Sequence, residues 1–214
     1  MRSVVRLKRL RNAGSRRAYS LRTLVDSLKL PPSTEQERVI AYATIEAHNL
    51  WASFARAYYL SCVLKARRVS GPNITITQTG LRTVTDGIQH AVRLLKPWVK
   101  SGPPFTRRDE PAWHELSTLL KLLASIGASN LSQVQSALSY PTTVFTVLPT
   151  VRNFFAHRND KTARKVANAA RSSLGLSAKL KPASVVCSVL PGRPQNVLAD
   201  WLDDLRAVMA LLCQ

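Results

Sequence analysis

Three side chains in one heptad could together do chemistry: Arg152, Asn153 and His157, in the stretch RNFFAHR at residues 152–158. An imidazole titrates near neutrality and moves protons. A guanidinium fork grips phosphate, and a carboxamide can orient either group or a substrate. No Ser-His-Asp spacing, phosphate-binding P-loop or GxGxxG occurs elsewhere. His48, His90, His114 and His157 lack partner ligands at metal-binding intervals, so neither a metal nor a cofactor is expected. A second arginine–histidine spacing, Arg107 or Arg108 with His114, spans Pro111 and a linker-like segment, so no single rigid element holds it.

On a helical wheel, Val144, Val147, Leu148, Val151 and Phe155 share one sector, the expected core face. Asn153 and His157 are i and i+4 on the far side. Arg152 lies at the boundary, about 140° from His157. One helix therefore does not aim the arginine and the histidine at one point. Either Arg152 reaches round, or a second copy of the chain supplies the complementary group at a dimer interface. The other reading is a solvated histidine beside Arg158 on a basic surface.

The pattern R-x4-H with asparagine in second place, inside a late helix of an all-α chain, resembles the HEPN superfamily of prokaryotic ribonucleases. The resemblance implies a helical bundle that dimerises and cuts RNA without metal, using the 2′-hydroxyl as internal nucleophile. It implies His157 as general base or acid, Arg152 as phosphate holder and Asn153 as the group orienting His157 or substrate. It also implies a toxin–antitoxin or anti-phage setting, with an antitoxin protein as a further partner. One family branch pairs with a nucleotidyltransferase antitoxin and carries tyrosine two places after the histidine. Asn159 stands there, which argues against that pairing.

The flank suits RNA independently. Arg158 closes the heptad, and Lys161, Arg164, Lys165 and Arg171 follow it, with only Asp160 opposing them. On one continuous helix, 158, 161 and 165 would track a phosphate backbone; the plainer reading is a solvated face. The whole chain carries 31 Lys and Arg against 12 Asp and Glu, a formal charge of +19, which gathers polyanions. No apolar run reaches the roughly 18 residues a membrane span needs. Cys62, Cys187 and Cys213 are widely spaced and read as reduced, packed thiols of a cytoplasmic protein.

The elements that must position these groups are helical. The expected architecture is an all-α bundle with a long early helix over 34–68, one small extended or hairpin insertion at 71–80, and a basic N-terminal tail. The tail, residues 1–17, holds seven basic residues and no acid, and also fits a targeting segment; residues 18–214 form one domain. Ser33 or Thr34 caps the long helix, Thr34 with Glu37 matching a capping box. Further helices are expected near 81–98, from Asp109 or Glu110 to Ile126, at 130–139, along 142–175 and at 195–212. On the long helix Glu46 and Asn49, with Arg56 beyond, are polar among apolar neighbours. Glu46 could hold a cleft arginine such as Arg152, or pair with a surface base of no consequence. His90 is expected to pair with Asp86. Two other functions fit the composition: a non-catalytic basic helical module binding RNA or DNA, and an adaptor whose acidic last helix (Asp200, Asp203, Asp204) docks a basic partner.

Overall fold

Residues 6–28, 31–100 and 102–214 are described by the computed structural model, and every regular element among them is an α-helix. In order these are α1 (Leu7–Asp26), α2 (Thr34–Val63), α3 (Val84–Leu95), α4 (Leu116–Ser125) and α5 (Leu131–Leu138). α6 (Val144–His157), α7 (Asp160–Leu174), α8 (Pro182–Cys187) and α9 (Val197–Leu212) complete the series. The fold is all-α with a long early helix, and 71–80 runs extended rather than as a hairpin. Isolated bridges join Arg67 to Arg6 and to Asn73.

The basic start of the chain is described from residue 6. It is helical from Leu7, because Leu7, Gly14, Ala18, Leu21 and Val25 form a buried stripe at helical spacing among the basic residues. Residues 1–5, and with them part of the expected targeting segment, lie outside the described residues. α2 is capped by Ser33 with Gln36 rather than Thr34 with Glu37. The Gln36 N–H donates to Ser33 Oγ (3.3 Å) and the Ser33 N–H to Gln36 Oε1 (3.1 Å). α4 begins at Leu116, not at Asp109 or Glu110, since Glu110 and Pro111 are spent in buried turn contacts. α3 buries Gly87, Ala91 and Val92, while Val84 at its start is 44% exposed.

The chain divides into two compact units, and α1, α2 and α9 contribute residues to both. One comprises Met1–Gly14 (described from residue 6), Trp51–Tyr140 and Val208–Gln214. Its core stacks Trp51, Phe54 and Tyr58, successive ring centroids 6.1 Å apart. Burying a side chain such as Phe54 contributes about 1.5–3 kcal/mol. The extended segment joins this unit through Ile74, which is buried, and through Thr77 and Gln78, whose N–H groups donate to the Ile126 carbonyl (3.0 and 3.2 Å). Gly127 (φ +59°) lets that segment approach, since a Cβ there would lie 1.9 Å from Thr77 Oγ1.

The other unit comprises Ser15–Leu50 and Pro141–Ala207. Ile40, Ala43, Ala47 and Leu50 of α2, Val197, Leu198, Trp201, Leu202 and Leu205 of α9, and the apolar faces of α6 and α7 are buried in it. Trp201 Nε1 donates to Thr143 Oγ1 (3.0 Å) and Thr142 Oγ1 to Asp204 Oδ2 (2.5 Å). Both bonds anchor the start of α6 to α9.

Candidate functional site

α6 forms where the apolar period predicts it, and Val144, Val147, Leu148, Val151 and Phe155 are all buried. Pro149 lies within the helix, where its ring removes one rung of the backbone ladder. The run 142–175 is not one helix. It breaks at Arg158, whose backbone is left-handed (φ 44°, ψ 52°) and whose N–H closes on the Phe154 carbonyl at 2.6 Å. Asn159 then caps α7: its Oδ1 accepts from the Thr162 N–H (2.9 Å), and the Asn159 N–H donates to Thr162 Oγ1 (3.3 Å). The heptad thus ends the first helix of a two-helix hairpin whose turn is Arg158 and Asn159.

Arg158 therefore does not continue a stripe with Lys161 and Lys165. Lys161, Arg164, Lys165 and Arg171 are exposed on α7, while Thr162, Val166, Ala170 and Leu174 are buried. Asn153 is brought to Lys165. Together with Pro149, Thr150 and Thr162 they line a pocket of about 180 Å³ between α6 and α7. Arg152 and His157 do not line it. His157, the last residue of α6, is exposed and takes no hydrogen-bond partner among the described residues. Arg152 is half-buried, and its Nε is shielded from solvent without a partner among the described residues.

Glu46 does not hold Arg152. Its carboxylate pairs with Arg17 and accepts from Asn49 Nδ2 (3.1 Å). Burial acts to raise the Glu46 pKa, but the bonds from Asn49 and Arg17 outweigh it and hold the group below its ordinary range. Two of the three acids of α9 are also occupied. Asp203 accepts from Arg22 (3.4 Å), Gln195 (3.0 Å) and Arg206 (3.1 Å), and Asp204 from Thr142. Burial and the neighbouring Asp200 and Asp203 push the Asp204 pKa up despite the Thr142 bond.

In two polar centres the sequence does not give the partners. Arg56 Nε and Nη2 donate to Glu110 (2.5 and 2.8 Å), and Trp113 Nε1 donates to the same carboxylate at 2.7 Å. The signals were an arginine inside an apolar helix face and an acid three residues before a tryptophan. His90 pairs through Nδ1 with Tyr59 OH (2.9 Å), not with Asp86, whose carboxylate caps α3 by accepting from the Arg82 and Thr83 N–H groups.

Among the described residues no group of three His, Cys, Asp or Glu is placed to hold a metal, and no helix is long and apolar enough to cross a membrane. The three cysteines are free and buried. The fold and the hairpin define a basic all-α protein. No family model, no curated protein and no solved structure matches the chain.

Proposed function

We propose that the protein is a metal-independent endoribonuclease of HEPN type, with Arg152, Asn153 and His157 as its catalytic residues. The 2′-hydroxyl attacks the adjacent phosphorus, and its proton passes to His157. The P–O5′ bond breaks, the 5′-oxygen takes a proton from an imidazolium, and a 2′,3′-cyclic phosphate remains. Arg152 stabilises the charge on the non-bridging oxygens. Asn153 orients the phosphate or the imidazole. The wheel separation of Arg152 from His157 makes a homodimer, with the active site at the interface, the economical arrangement. An antitoxin or phage-derived trigger as regulator, and a cytoplasmic setting, follow from the resemblance.

The observation that carries this reading is the state of the two end groups. His157 is exposed and unbonded, and the Arg152 Nε is buried and unbonded, in a chain where Glu46, Asp203 and Glu110 all have partners. An exposed group without an intramolecular partner is available to a ligand, and a buried donor without one calls for a partner. Exposed Lys161, Arg164 and Lys165 follow on α7 to meet phosphates. Purified protein is expected to cut RNA in EDTA, leaving 2′,3′-cyclic phosphate ends, and to arrest growth when expressed. His157→Ala and Arg152→Ala abolish both. Cutting by His157→Ala at the wild-type rate would overturn the assignment.

The same basic α7 face favours a second reading, a helical RNA- or DNA-binding module without catalysis. Salt-sensitive binding that survives His157→Ala, with no cleavage under any ionic condition, would select it.

A further inference from the structure

We propose that Trp98 is a stacking platform for an unpaired nucleobase, with Lys96 and Lys121 meeting the phosphates on either side. Trp98 is 70% exposed, whereas Trp51, Trp113 and Trp201 are 3%, 6% and 2% exposed. An indole is among the most rewarding side chains to bury, so one left in water just after α3 presents a face for a ligand. It borders a pocket of about 220 Å³ walled by Pro111 and Ala112 and rimmed by Lys96 and Lys121, with Glu115 as the one acid in the lining. That volume is below the range of whole small-molecule sites and suits a single base.

Charge selects the occupant. Arg93, Lys100, Arg107 and Arg108 are exposed nearby in the chain. Lys96 Nζ donates to the Arg108 carbonyl (2.8 Å), tying the strongly basic 107–108 turn to the end of α3. Two of the neighbouring acids are occupied: Asp109 accepts from the Thr106 N–H and Oγ1 (both 2.8 Å), and Glu110 is buried against Arg56, which leaves Glu115 as the acid facing the lysines. A flat aromatic face inside a cationic rim is the recognition chemistry of single-stranded nucleic acid, where an unstacked base is free to lie on the ring. Bases in a duplex are already stacked. The inference rests on the RNA part of the reading above and not on cleavage.

The probe is a short oligothymidylate, which lacks the 2′-hydroxyl and so cannot be cut by this chemistry. With the other three indoles buried, titration is expected to quench the tryptophan emission of the exposed one. Trp98→Phe removes the quench and retains affinity within about threefold, since phenylalanine also stacks. Trp98→Ala weakens binding about five- to a hundredfold. Lys121→Gln lowers the salt slope by about one. A duplex of equal length binds without quenching. Saturated binding of the single strand without a quench, or Trp98→Ala binding as wild type, overturns the proposal. So does an emission blue shift on anionic vesicles with no response to the oligonucleotide, which would assign the indole to a membrane surface. Failure of His157-dependent cleavage leaves these outcomes unchanged, so the two readings fail separately.

Discussion

Two arginines embedded in helices end in opposite states. Arg56 presents two donors to Glu110, which is 5% exposed and also accepts from Trp113, with Arg107 Nη1 3.8 Å away. Burial works to raise the Glu110 pKa, but the Arg56 and Trp113 bonds and the two guanidinium charges outweigh it and hold it below the ordinary carboxylate range. Arg152 has a shielded Nε with no partner, five residues before an exposed His157 with none. Residue type does not separate these cases; partner satisfaction does. A buried charge whose bonds are made is compensated, while a buried donor without a partner carries an uncompensated desolvation cost.

That contrast can be broken by exchanging readouts. His157→Ala is expected to reduce RNA cleavage by at least about a hundredfold. Its urea midpoint should not move, because the side chain is exposed and unbonded. A large stability loss there would make His157 structural. Glu110→Ala should do the reverse. Leaving Arg56 without its carboxylate costs about 3–5 kcal/mol, read by urea unfolding, while cleavage by the remaining folded fraction persists.

The same centre predicts a pH dependence. Because the Glu110 pKa is depressed in the folded state, its contribution is present above the unfolded value of about 4.3 and is lost as pH falls below it. Glu110→Gln should flatten the stability curve in that window. Burial also depresses the His90 pKa, so its contribution is present above about 6.5 and declines as pH falls from there. His90→Gln should remove that second slope. An unchanged curve in either variant rules out its group.

The smallest expected effect lies at the hairpin turn. Arg158 occupies a left-handed conformation that glycine adopts freely, so Arg158→Gly should raise stability by about 0.5–1 kcal/mol while weakening RNA binding. A gain in stability with undiminished binding would mean that the arginine does not touch nucleic acid.

Local pattern reached far in this chain. The 3.6-residue recurrence from Ile40 to Tyr58, from Val144 to Phe155 and from Val197 to Leu212 marks faces that are all buried, because burial of an amphipathic stripe is what stabilises a helix. Gly175 ends α7 in the left-handed conformation its missing Cβ permits. The break at Arg158 was harder to see, since no glycine or proline marks it; the available sign was Asn159-Asp160, a capping residue followed by an acid in a first turn. Trp98 showed nothing in the sequence, because exposure depends on what packs nearby.

By itself the sequence determined the helical class, the basic field and the candidate heptad, all of which follow from side-chain type and short-range spacing. The tertiary structure decided the partners. Arg17 rather than Arg152 meets Glu46, 29 residues away; Arg56 meets Glu110, 54 residues away; and Asn153 shares a pocket with Lys165 across a two-residue turn. Such pairings depend on how helices pack, and hydrogen bonds reach only about 3 Å, so spacing along the chain cannot choose among several arginines and acids on the same helix faces.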